Sequence, residues 1–184
     1  PLLRAGAWLL AALSVGSFLF ASFLLSPRQG DIRQAYLTVD GLIASRTGAV
    51  AALVFALIGI IMVPLVLSDV SGQPITEAIQ PANWLVALNQ VADAQAWLIS
   101  AIIALVVGGA ALIAPRTWMW QPVWLVGAIL IVAPQGLSGH SAAGGDHDYG
   151  TNSLLWHVLF MMLWVGGLMA LIAHGRRLGP NLQL

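Results

Sequence analysis

Five stretches of this 184-residue chain, 5–25, 47–68, 94–114, 117–138 and 154–173, contain no Asp, Glu, Lys or Arg. Each is close to the run of about 20 apolar residues that an α-helix needs to cross a bilayer. In hydrocarbon an open backbone donor or acceptor finds no partner, so such stretches have to be helical. The pattern therefore predicts an all-α fold, a polytopic transmembrane bundle of about five spans forming a single domain over residues 1–184. Composition agrees, with 59% hydrophobic and only 8% charged residues, against about 25% charged in a soluble domain.

Several function classes fall away at once. The seven basic residues are all arginine, the net formal charge is zero and no basic cluster is present, so nucleic acid is not an expected partner. With no cysteine, disulfides and thiolate metal sites are impossible. No nucleotide-binding glycine loop or Ser/His/Asp arrangement is visible, and no enzymatic activity is expected. The chain opens on Pro1 without a signal-peptide pattern and reads as a fragment of a longer one.

The connections between spans are unequal. Arg28, Arg33, Arg46, Arg116, Arg176 and Arg177 fall on one side of the predicted bundle and only Arg4 on the other. The positive-inside rule then places the C-terminus in the cytoplasm and the 139–153 connection outside a plasma membrane. Between the second and third spans, Ser68 to Pro74 reads as a turn, Thr76 as a helix cap with Glu77 in the first turn, and Trp84, Leu85, Leu88 and Val91 as the apolar face of a short interfacial helix running on into the third span. Pro64 and Pro134 are expected to bend the second and fourth spans. Most tryptophans fall near span ends and read as a headgroup belt.

Three of the four histidines gather in one region. His140 follows the fourth span, His147 lies beside Asp146 and Asp148 in a Gly-rich connection, and His157 sits one turn into the fifth span. An ionisable side chain inside a span is a functional candidate, and a short link can bring His140 and His157 to one membrane level. His157, Met161 and Trp164 share a helical stripe, with Met162 pointing elsewhere. Imidazole with thioether and no thiolate ranks copper slightly first, while imidazole with carboxylate also suits zinc or iron. The candidate metal residues are thus His140, His157, His147, Asp148 and Met161, the loop pair serving as a lid. His174, beside Arg176, is expected to snorkel to the cytoplasmic surface.

On Ser138-Gly139-His140-Ser141-Ala142, Gly145-Asp146-His147-Asp148, Leu155-Trp156-His157 and Leu163-Trp164-Val165-Gly166-Gly167-Leu168, the chain resembles the CopD family of copper-resistance membrane proteins. It is most similar to the actinobacterial form in which a CopD-like half precedes a CtaG-like cytochrome c oxidase assembly half. The resemblance implies copper uptake or relay, with a CtaG-like domain, the oxidase or another respiratory complex, or a periplasmic copper carrier as partners besides the lipid bilayer. His140 and His157 match the family motif; His147 and Asp148 match only the subgroup. Two other readings use the same residues: a haem-bearing electron carrier with paired axial histidines, and a structural subunit of a respiratory complex whose histidines merely hydrogen-bond.

Overall fold

The computed structural model describes residues 1–25, 36–138 and 149–177, with the side chains of 86–88, 149–152 and 177 excepted. Within them the elements are α1 (Leu2–Leu19), a π-helical turn (Phe20–Leu24), α2 (Val39–Ser71), α3 (Ile75–Ala78), α4 (Pro81–Gln90), α5 (Ala92–Ile113), a 3₁₀ turn (Trp118–Trp120), α6 (Gln121–Leu130), α7 (Ala133–Leu137) and α8 (Tyr149–His174). The described residues contain no strand, only an isolated antiparallel bridge between Tyr36 and Thr117. Five segments are long and apolar enough to cross a membrane: Leu2–Leu24, Val39–Ser71, Ala92–Ile113, Trp118–Leu137 and Ser153–His174. They are the five spans expected from charge-free runs.

The largest boundary difference is at α2. The apolar run suggested a start at Thr47, whereas the helix begins at Val39, with Thr38 as N-cap accepting from the Gly41 amide at 3.0 Å. Charged Asp40 and Arg46 lie inside it. A helix can run past the hydrocarbon, where only its buried middle must be free of charge. Its other end stops at Gly72, whose φ of 68° is the left-handed conformation that glycine adopts at no steric cost. Pro64 lies within α2, where the missing N–H deprives the Ile60 carbonyl of its usual intrahelical donor.

In the fourth span the structure has a break rather than a bend. α6 ends at Leu130, Ile131 and Val132 form a turn, and α7 starts with Pro134 at its first positions, where a ring without an N–H costs nothing. The interfacial segment is likewise two helices. Pro74, not Thr76, stands at the N-cap of α3, and extended Val91 separates α4 from α5.

Packing follows side-chain size. Lipid tails are as apolar as leucine, so membrane helices associate through close contact rather than through exclusion of water. In the α2–α5 pair, a Cβ on Gly59 would come within 2.9 Å of the Ala101 Cβ, and one on Gly108 within 2.8 Å of the Ala49 carbonyl oxygen. Phe55 stacks on Trp97 beside this seam, with ring centroids 6.1 Å apart. Trp97 is therefore a core residue and not part of the headgroup belt, being only 2% exposed.

α1 is the central helix, packed against α2, α6 and α8. Its contact with α8 is tighter still. A Cβ on Gly16 would overlap the backbone carbonyl of Gly166, and one on Gly166 would overlap the carbonyl of Ala12. Ala12-x-x-x-Gly16 thus faces Gly166-x-x-x-Ala170, two small-residue pairs one turn apart. Gly167 faces open space, with no heavy atom within 4 Å of where a Cβ would stand.

The adjacent glycines give a discriminating test. Gly166→Ala forces two backbones apart and is expected to destabilise the detergent-solubilised protein by about 1–3 kcal/mol. Gly167→Ala gains helix propensity and is expected to be neutral or slightly stabilising, by up to about 1 kcal/mol. Thermal unfolding of the two variants reads the difference; equal midpoints would contradict the seam.

Candidate metal end and the buried histidine

The two ends of the bundle differ in charge. One end gathers the start of α1, the end of α2, the starts of α5 and α8 and the end of α7; it carries Asp69, Glu77 and Asp93, with Arg4 bonded to Asp93 at 2.9 Å. The opposite end carries Arg46, Arg116 and Arg176 with a single described acid, Asp40. Arg28 and Arg33 lie outside the described residues.

At the acidic end, α8 meets the fourth span through Leu155, which sits against Gly136 of α7 at 3.2 Å from a Cβ position there. His157 is two residues further on, so it lies about 200° round the helix from Leu155. It is exposed. Met161, one turn below, is exposed at 36%, and Trp156 stacks on Phe160 with centroids 6.0 Å apart on the same side of α8. Met162 packs instead against the core, in line with its expected direction.

His157 and Met161 therefore share an outward stripe. Their Cβ atoms are the usual ~5–6 Å apart for an i, i+4 pair, which suits two donors to one soft metal ion. They do not face α7. His140, His147 and Asp148, the other candidate donors, lie outside the described residues. Among the described residues no three His, Cys, Asp or Glu side chains come together as a metal-holding group.

The other end contains a histidine whose place differs from the expected one. His174 is 3% exposed, not snorkelled to the surface. Its Nε2 lies 3.4 Å from the Ser17 hydroxyl, and its ring is tilted by 48° against Phe20 at 6.2 Å. The reason is helical phase. Gly166, Ala170 and His174 recur every four residues, so once the first two face α1, the third does as well. That signal was present in the small-residue spacing.

Around His174 the backbone leaves regular α geometry. α1 opens into the π turn Phe20–Leu24, and the Ser22 carbonyl accepts the Trp118 indole N–H at 2.6 Å. The Ser22 hydroxyl in turn donates to the Phe18 carbonyl at 2.6 Å. Nearby, Thr38 donates to the Leu25 carbonyl at 3.2 Å, and the Leu37 amide to the Arg116 carbonyl at 2.8 Å. Carbonyls freed by irregular turns are thereby supplied with donors, as a low-dielectric setting requires. Trp118 thus tethers the connection between the third and fourth spans to the end of the first. Ser14, Ser17, Ser100 and Gln121 are also buried within the bundle; sequence reasoning, which looked for charges, passed over them.

These features define a polytopic α-helical membrane protein with an exposed His157–Met161 stripe toward one end and a buried polar junction at the other. The chain belongs to the copper resistance protein D-like family, whose N-terminal domain matches residues 1–150. The matched stretch includes His140, His147 and Asp148 and ends where α8 begins, leaving His157 and Met161 just beyond it. No curated protein and no solved structure matches the chain.

Two measurements check this description. Because the chain has no native cysteine, each introduced thiol is unique: a thiol in His157→Cys is expected to react with a maleimide in the intact protein, and one in His174→Cys only after unfolding. Trp118→Phe removes the donor to Ser22 and is expected to lower stability by about 1 kcal/mol, whereas Trp120→Phe, at an exposed stacked position, leaves it nearly unchanged.

Proposed function

We propose that the protein handles copper as cargo, binding it at the end of the bundle where α8 begins and relaying it along that helix without catalysing a reaction. The observation that carries this is membership of the copper resistance protein D-like family over a stretch that includes His140, His147 and Asp148. In this reading His140 and His157 bind the ion, the thioether of Met161 receives it one turn deeper, and the loop with His147 and Asp148 closes over the entrance. Imidazole and thioether donors without thiolate suit copper.

The asymmetry of arginines supports placing the donor end outside the cytoplasm of a plasma membrane. A periplasmic copper carrier is then the source, and assembly of cytochrome c oxidase, through a CtaG-like partner, the consumer. The spans have too few polar groups for an open pore, so relay between bound positions is preferred to a water-filled channel.

The test is the metal content of protein purified after copper loading. Wild type is expected to retain copper, His140→Ala/His157→Ala to lose it, and Met161→Leu to hold it more weakly. Equal copper in wild type and the double variant refutes the proposal. A strong Soret band in the purified protein would replace copper by haem.

A further inference from the structure

A second candidate binding site lies away from α8. Between α1 and α2 the surface holds a groove of about 400 Å³, bordered by Leu10 and Leu13 on one side and by Arg46, Thr47, Val50 and Val54 on the other. Arg46, Val50 and Val54 follow one another at four-residue intervals, so they form a single stripe along α2. That stripe descends about 12 Å from the guanidinium toward the middle of the span. Arg46 stands where charge-free sequence begins, which is the level of the lipid headgroups. It is exposed and takes part in no ion pair among the described residues, in contrast to Arg4 with Asp93. Arg116 and Arg176 sit at the same end of the bundle, where Asp40 is the single described acid, so positive charge is in excess there.

We propose that this groove binds an anionic phospholipid, with the phosphate on Arg46 and one acyl chain along Leu10, Leu13, Val50 and Val54. A planar guanidinium matches a phosphodiester with paired donors. The groove below it offers only aliphatic side chains and the Thr47 hydroxyl, whose proton is given to the Ile43 carbonyl at 2.9 Å, so nothing there suits a polar occupant. A protein helix in the groove would cover Arg46 and strand its charge unless it brought an acid. A lipid supplies charge and chain together. The neighbouring arginines add to the preference for a negative headgroup, since each basic residue near an anionic surface contributes on the order of 1 kcal/mol.

Native mass spectrometry of the purified protein, offered phosphatidylglycerol or phosphatidylcholine at equal mole fraction, tests the site. Wild type is expected to retain phosphatidylglycerol preferentially. Arg46→Gln should cut that preference about fivefold, Arg46→Lys should restore most of it, and Val50→Trp should reduce retention of the lipid by filling the groove. Thermal unfolding without added lipid should be unchanged in the Arg46 variants, because the side chain is exposed. Equal retention of both lipids by wild type, an unchanged preference in Arg46→Gln, displacement of the lipid by inorganic phosphate at matched concentration, or a protein dimer in its place would each overturn the proposal.

Discussion

Helices in a bilayer gain little by leaving lipid for one another, so the bundle depends on how closely their backbones can approach. At two seams that approach is made by glycine and alanine: Gly59 and Gly108 of α2 and α5, and Gly16 and Gly166 of α1 and α8. Large side chains such as Phe55 and Trp97 then fill the space beside the seams. The order matters, because aromatic rings could not stack at that spacing if the small residues did not first set it. The Val165-Gly166-Gly167 run shows how strict the requirement is, since only one of two neighbouring glycines touches the opposing backbone.

The same closeness dictates what happens to polar groups. A backbone held near its neighbour cannot also be solvated, so wherever α geometry lapses a donor has to be found inside the protein. The π turn after α1 meets this with the Trp118 indole and the Ser22 hydroxyl. At the break formed by Ile131 and Val132, Pro134 contributes no N–H that would need an acceptor. His174 is held in the first of these junctions by its position on the Gly166 stripe.

Most of the architecture was legible in the sequence because charge is so costly in hydrocarbon that its absence marks a span directly. The five runs without Asp, Glu, Lys or Arg correspond to the five long helices. Boundaries were less legible. Arg46 and Asp40 hid the first turns of α2, since a rule about charge finds the hydrocarbon and not the helix. Val91 interrupts the helix between α4 and α5 with no glycine or proline to announce it, whereas the Ile131–Val132 turn directly follows Leu130, the residue whose carbonyl the Pro134 ring would meet in a continuous helix. For the candidate metal end, the shared stripe of His157 and Met161 was readable from period alone. The burial of His174 is legible only in the four-residue spacing that links it to Ala170 and Gly166, a signal that its nearness to Arg176 masks. The serines and Gln121 buried in the bundle escaped for a related reason, as uncharged polar side chains barely alter an apolar run.

The seam between α1 and α8 also orders events in time. Ser17 and His174, which meet across it, are 157 positions apart, and the chain is made from its N-terminus. α1 therefore enters the membrane long before its parallel partner α8 exists, with Gly16 and Ser17 on a face that α8 has yet to cover. Contacts of such high sequence separation come late. Until α8 emerges, α1 and α2 can associate but the junction of Ser17 with His174 stays open to the bilayer. Closing that junction is a step of biogenesis and not of the mature bundle.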